Sequence, residues 1–305
     1  MKKHLFTFLA VAFCATAHAD LLLVEDFDYT AGTPLSDCGW VTPYGGTSVT
    51  AVSNGLSFDD YAGCGIGNGA IIGGLDNSYQ PHKAFETITS GDVYVAMMLQ
   101  SYTCGKRTWI FSLRDAISTS TFNYNGRIWI NNENKIGLSY DKEGEKYADR
   151  VLDNETTYLV VLKYTIVAGA KNDQVSLYLL DAFTANEPAE PLLTTTNSSS
   201  SANADINPQN IVLRSSSSDD WILVDGIRVA TTWAEAVAAG SCPGTGIMQP
   251  QSDALHLYTE NGSILGADDM QIFNITGTDV TNQNGSLHGI YLVKAAGKMQ
   301  KVVVK

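Results

Sequence analysis

The chain has 305 residues, with 19 lysines and arginines against 32 aspartates and glutamates, and a net charge of −13 at pH 7. An excess of acid on this scale, with no grouped basic side chains, speaks against nucleic acid and anionic lipid as partners, since both are recognised through clustered Lys and Arg. It leaves carboxylates free for a hard cation such as Ca²⁺, which takes oxygen ligands.

Residues 1–19 read as a secretory signal. Lys2 and Lys3 supply the short positive region, residues 5–15 the apolar run, and Ala17 and Ala19 the small residues before a cleavage point at Asp20. A membrane anchor is the alternative, but a spanning helix needs about 20 apolar residues and this run is shorter. No other stretch of the sequence is long and apolar enough to span a bilayer. Removing Lys2 and Lys3 takes the net charge from −13 to −15. Cys14 leaves with the signal. Cys38, Cys64, Cys104 and Cys242 remain, an even number that fits two disulfides with three possible pairings in an exported chain. Free buried thiols are the alternative. No spacing of Cys and His suggests zinc.

Past the signal, helical periodicity is nearly absent. Short runs of β-formers recur between Gly, Asn, Ser and Asp clusters: 93–100 (VYVAMMLQ), 108–114 (TWIFSLR), 126–131 (GRIWIN), 135–140 (KIGLSY), 158–167, 174–181, 211–214 and 221–229. Many short strands at this spacing predict a β-sandwich. Only 232–239 (TWAEAVAA) looks helical, with Gly240 as its stop. The serine runs 198–201 and 215–218 read as surface loops. From 240 to 252 Gly, Pro and Ser dominate and the strand pattern lapses, which marks a linker. The predicted organisation is therefore a main domain over 20–239, the linker, and a small C-terminal antiparallel β-sandwich over 253–305, with strands at 255–258, 270–275, 289–295 and 300–305.

Two resemblances give these parts a character. The tail pattern MQIFNITGTDVT, GSLHGIYLVKA and KMQKVVVK resembles the C-terminal sorting domain of type IX secretion in Bacteroidetes. Its elements here are Ile272, Phe273, Gly277, Val280, Leu287, Gly289, Tyr291, Leu292, Val293, Lys301 and Val302 to Val304. The resemblance implies a secretion machinery as partner, and a protein that is secreted or held at the outer-membrane surface. A small accessory β-domain is the alternative. The stretches LLLVEDFDYTAGTPL (21–35) and DDWILVDGIRVATTWAEAV (219–237) resemble the concanavalin A-like lectin/glucanase superfamily in its laminin-G-like form, a jelly-roll sandwich. The family usually carries Asp or Glu where Gly226 stands here. First and last strands of such jelly rolls lie side by side, so Glu25, Asp26 or Asp28 would approach Asp225. Paired carboxylates of this kind call for a cation, and either Arg228 or a structural Ca²⁺ would supply it. Solvated acids at strand ends are the alternative. Asp59 and Asp60 form a further acidic pair, read as a loop.

The chemistry-bearing motifs are few. The Glu-x-Asp-x-x-Glu string of glucanases is missing. The nearest acidic cluster, Asp141, Glu143 and Glu145, reads as a solvated loop. His82 is the single histidine of the main domain, and Pro81 beside it argues against a mid-strand position. There is no Gly-x-Ser-x-Gly elbow and no HExxH motif. Whether the chain is an enzyme stays open, leaning against. A binding face is more visible. In 127–131 alternation puts Arg127, Trp129 and Asn131 on one face and Ile128 and Ile130 on the other. The preceding strand puts Ser112 and Arg114 opposite Trp109, Phe111 and Leu113. Aromatic rings and planar polar groups suit sugars, so Arg114, Arg127, Trp129 and Asn131 are the candidate ligand-binding residues for a glycan or cell-surface ligand. A tryptophan capping the sheet edge with arginine stacked on it is the alternative. A polysaccharide-degrading enzyme of the same superfamily and a purely adhesive surface protein are the competing functions.

Overall fold

In the computed structural model the described residues are 21–43, 51–52, 55–73, 80–117, 123–198, 201, 203–214, 220–242, 257–267, 269–274, 278–295 and 298–304. The signal, most of the linker and the serine run at 215–218 lie outside them. The chain divides into two compact units, Met1–Pro243 and Gly244–Lys305. All strand pairs are antiparallel. Among the described residues no helix is long and apolar enough to cross a membrane.

The first unit contains β1 (Leu21–Glu25), β2 (Ala51–Val52), β3 (Gly69–Gly73), β4 (His82–Ala84), β5 (Gly91–Thr103), β6 (Thr108–Arg114), β7 (Tyr124–Ile130), β8 (Lys135–Ser139), β9 (Lys146–Val151), β10 (Thr157–Ile166), β11 (Gln174–Leu180), β12 (Leu193–Thr196), β13 (Asn210–Leu213) and β14 (Trp221–Ala230), followed by the single turn α1 (Trp233–Ala236). An eight-stranded sheet runs β12-β11-β10-β5-β14-β3-β2, with β1 also on β14; a six-stranded sheet runs β4-β13-β6-β7-β8-β9. The one-turn helix is shorter than the eight residues its composition suggests.

Alternation along the strands builds a core from both sheets. Val93, Val95, Met97 and Leu99 of β5, Val160, Leu162 and Tyr164 of β10, and Ile222, Val224, Ile227 and Val229 of β14 meet Ile110, Phe111 and Leu113 of β6, Ile128 and Ile130 of β7, and Ile136 and Leu138 of β8. Each such fully buried aliphatic side chain contributes roughly 1.5–3 kcal/mol. The alternate residues of β5 and β10 are apolar as well. Tyr94, Ala96, Met98, Leu159 and Val161 lie under Leu56, Phe58, Tyr61, Trp233, Ala236 and Val237. The larger sheet is therefore buried on both faces, which is why its central strands read as unbroken apolar runs.

A disulfide between Cys64 and Cys242 fastens this outer layer, with a bridge from Tyr61 to Ala239 beside it. Cys38 and Cys104 are free thiols. One of the two expected disulfides is thus formed; Cys104 is buried, with its Sγ facing the Lys106 carbonyl at 2.9 Å.

In β14 the edge facing away from β5 is shared. Residues 221–224 pair with β3 and 227–230 with β1, so the first and last strands of the unit lie side by side. A bulge at Gly226, with φ of +56°, joins the two halves. A Cβ here would meet Met98 Cε at 2.8 Å and the Gly63 carbonyl oxygen at 3.2 Å. Gly226 stands where the resemblance leads one to expect an acid because the 55–68 loop packs directly on the strand backbone.

The second unit holds β15 (Tyr258–Glu260) paired with β16 (Ser263–Leu265), and a sheet of β17 (Gln271–Asn274), β18 (Gly289–Ala295) and β19 (Lys298–Val304). Ile264, Ile272, Val280, Leu287, Val293, Val302 and Val304 form its core.

Candidate functional site

The outer face of the six-stranded sheet carries a layer of arginines on aromatic rings. Arg127 and Trp129 share this face, while Ile128 and Ile130 point into the core. Trp109 joins them, contrary to the simple alternation of β6. The register slips between Trp109 and Phe111, so Ile110 and Phe111 both turn inward and Trp109 comes out beside Trp129. Tyr124 and Val212 complete the cluster, with Tyr147 packed against it. Gly137, between Trp129 and Tyr147 in the sheet, leaves room for the Tyr147 ring, which comes within 2.7 Å of where its Cβ would stand.

Guanidiniums lie over these rings. Arg127 is 5.1 Å from the Trp109 ring and 5.8 Å from Tyr124; Arg214 is 4.8 Å from Trp109, Arg114 4.9 Å from Tyr124 and Arg107 5.5 Å from Trp129. Arg107 also pairs with Glu145. The Trp129 indole N–H donates to Ser139 Oγ at 2.8 Å, and that hydroxyl donates to the Asp141 carbonyl. Asp141 is itself buried, its carboxylate accepting from the Glu143 and Asn203 amides, so it is no part of a solvated loop. Trp129 is buried beneath Arg107 and presents no open ring face.

Two further residues define the limits of the site. β7 ends at Ile130, and Asn131 opens the turn to β8, where Oδ1 accepts from the Glu133 and Lys135 amides at 3.0 and 2.9 Å. Asn131 shapes the hairpin and does not join the other three residues. His82, on edge strand β4 just after Pro81, lies under Arg114. Arg114 Nη1 donates to Nε2 at 3.0 Å, and Nδ1 donates to the Gln80 carbonyl at 2.7 Å. Burial and the guanidinium hold the imidazole neutral, with its pKa lowered to about 4. Sequence reasoning set Trp109 on the face opposite Ser112 and Arg114, and passed over Tyr124, Tyr147 and Arg214.

The acids at β1 and β14 are brought near one another, each with its own donors. Glu25 accepts from the Phe27 amide, the Tyr29 hydroxyl and the Trp40 indole, and pairs with Lys83 at 3.1 Å. Asp26 pairs with Arg228 at 2.6 Å. Asp225, fully buried, accepts from the Leu56 and Gly226 amides at 2.7 and 2.6 Å; burial pushes its pKa up to about 8 against that pull. Among the described residues no three His, Cys, Asp or Glu side chains are grouped as metal ligands. Ca²⁺ at Glu25, Asp26 and Asp225 would have to displace Lys83 and Arg228, so these residues do not fit it as a set.

No family model matches the chain, and no curated protein matches it. Solved structures align with part of it. A Trypanosoma rangeli sialidase with a bound difluoro-KDN ligand aligns over 71% of this chain and 31% of its own length, at 9% identity and a TM-score of 0.41. The T. cruzi calreticulin globular domain aligns over 72% and 90%, at 10% identity and 0.41. The cellulose-induced protein Cip1 aligns over 69% and 97%, at 12% identity and 0.43. The chain thus spans about a third of the sialidase. Likeness at this level leaves ligand and activity to be argued from the site itself.

Proposed function

We propose that this is an exported protein whose first unit binds a glycan at the outer face of its six-stranded sheet without breaking it down, and whose second unit directs export. One observation carries the binding reading: the arginine and aromatic layer holds two buried polar atoms with no partner among the described residues. Ser112 Oγ, on a wholly buried residue, and the Tyr147 hydroxyl have no hydrogen-bond partner. A buried unpaired polar group costs about 1–3 kcal/mol, and a sheet face that serves only stability has no reason to keep several. Because guanidiniums cover the rings, recognition here works through planar donors more than through ring stacking.

The test is a glycan array with the intact chain, Arg107→Ala and Tyr147→Phe. Arg107 is 61% exposed, so its removal tests the face with little risk to folding. Binding by the intact chain that weakens in both variants supports the reading; an intact chain that retains no saccharide overturns it. Export rests on the signal-like segment and on the tail pattern. Deleting residues 285–305 in the native host should abolish surface delivery, and unchanged delivery would remove the sorting role.

A second reading, polysaccharide cleavage, has one observation in its favour. Asp173 and Asp205 line a cleft of about 250 Å³ and are driven apart in acidity. Burial raises Asp173, whereas donors led by Asn197 outweigh burial and hold Asp205 below the ordinary range. Both are already occupied, however. Asp173 accepts from Tyr164 and the Val167 amide, and Asp205 from Asn197, Tyr140 and two backbone amides. That places binding first. Reducing-end release from a polysaccharide panel, lost in Asp173→Asn, would reverse the order.

A further inference from the structure

The most informative side chain of the binding face is Arg127. It is 8% exposed, and among the described residues no carboxylate lies within ion-pair distance of it. Its Nε donates to the Tyr124 carbonyl at 3.0 Å. Among the described residues its terminal nitrogens have no hydrogen-bond partner. The ring faces of Trp109 and Tyr124 flank it, and Arg214 sits over the same Trp109 ring. Two guanidiniums therefore share one indole and repel each other. Asp141 is the acid whose field reaches Arg127 most strongly, but its carboxylate is turned to the Glu143 and Asn203 amides.

Several other buried or half-buried cations in this acidic chain meet carboxylates. Arg228 meets Asp26, Lys83 meets Glu25, and Lys163 meets Asp92 and Glu187. Although the chain has 32 acids, none of the described carboxylates pairs with Arg127, and a desolvated guanidinium without such a partner costs stability. Ser112 is its neighbour across the β6–β7 ladder, between Phe111, which pairs with Ile128, and Leu113, which pairs with Asn125. The strand register thus puts Ser112, whose hydroxyl has no partner among the described residues, next to Arg127 in the ladder.

We infer that Arg127, with Arg214 and Ser112 beside it, forms a subsite for an anionic group carried by a saccharide: a uronate carboxylate or a sulfate ester. An oxyanion there accepts from the Arg127 fork, screens it from Arg214 and gives Ser112 Oγ an acceptor. The cation–aromatic sandwich holds the guanidinium in place before the ligand arrives, so little ordering is required on binding. This deepens the proposed glycan-binding role and rests on it. An acidic protein overall would repel an acidic glycan, so the local positive face is also what permits the encounter.

The test is isothermal titration of the intact chain with three probes: a hyaluronan oligosaccharide carrying carboxylates alone, a chondroitin sulfate oligosaccharide carrying both anions, and a neutral chito-oligosaccharide. Arg127→Gln and Arg127→Lys are measured alongside, with circular dichroism to confirm folding. Binding of one or both anionic probes, weakened about 10-fold or more in Arg127→Gln and less in Arg127→Lys, is the expected result. Anionic binding by the unmodified chain that falls by a similar factor from low to high salt gives the same support should the variants not fold. Equal or preferential binding of the neutral probe, unmoved by salt, overturns the anionic subsite and leaves the glycan-binding reading standing. No binding of any probe, together with a blank glycan array, overturns both.

Discussion

The Asp26 carboxylate meets the Arg228 guanidinium at 2.6 Å where β1 runs beside β14. Both are largely buried, and Arg228 also favours the ionised form of Asp225. Removing one member of such a pair leaves the other uncompensated, at a cost of roughly 3–5 kcal/mol. Arg228→Met should therefore lower urea stability by about that much. Above about pH 8, where Asp225 is ionised, Asp26→Asn should cost clearly less, because it also relieves repulsion on Asp225. Equal losses in the two variants would mean that Asp225 does not feel Arg228. Added Ca²⁺ should leave the melting temperature of the unmodified chain unchanged, and a rise would show that the ion displaces the guanidinium.

Gly226 makes the bulge that lets β14 serve two neighbours. Restoring the acid expected from the resemblance, Gly226→Asp, adds a side chain at a φ of +56° and drives its Cβ toward Met98 and Gly63. The expected loss is about 2–3 kcal/mol, from backbone strain together with overpacking. Gly226→Ala should lose nearly as much, since both effects begin at Cβ. A thermal melt of the two variants checks this; a neutral Gly226→Ala would mean that the loop over the strand is easily displaced.

His82 makes stability depend on acid. Its pKa falls from an ordinary 6.5 to about 4 through burial and Arg114. Between those values the unfolded chain binds the extra proton, so stability rises with pH across that window and is fully present above it. Lowering the pH from about 6.5 to about 4 should remove on the order of 3 kcal/mol, because protonation sets a second cation against Arg114. His82→Gln keeps an acceptor for Arg114 and cannot titrate. Denaturant midpoints read across this range should show a smaller acid loss in the variant.

Most of the strand pattern was legible because alternating residues really do face two different layers. Residues 108–114 and 289–295 were bounded as the structure has them. Arg127 and Trp129 were legible for the same reason. Trp109 was not, because a bulge is one residue of slippage that no composition marks. Asn131 was misplaced because the strand stops one residue earlier, where its side chain is needed to cap a turn. The short strands β2, β3, β4, β9, β12 and β16 were missed; β4, for instance, has three residues and follows a proline, and β9 alternates weakly at a sheet edge. The cysteine count suggested two bridges. Which thiols meet depends on a contact between residues 178 apart in the chain, which spacing alone does not reveal.

That bridge gives the last prediction. Cys64 lies in the loop that covers the outer face of the larger sheet, and Cys242 follows the helical turn packed on the same face. Linking two points separated by 178 residues restricts the unfolded chain strongly. The loop-closure relation puts the effect at roughly 5 kcal/mol, an upper estimate because unfolded chains keep residual structure. Cys64→Ala with Cys242→Ala should therefore lower stability by several kcal/mol, and reductant should have the same effect on the unmodified chain and none on the variant. Thiol labelling separates the remaining cysteines. Cys38 is half-buried and should react slowly in the folded protein, whereas Cys104 should react only after unfolding, because it is buried and its thiol stays protonated. Protection of both free thiols until reductant is added would instead reveal a second disulfide, and would restore the two-bridge arrangement expected of an exported chain.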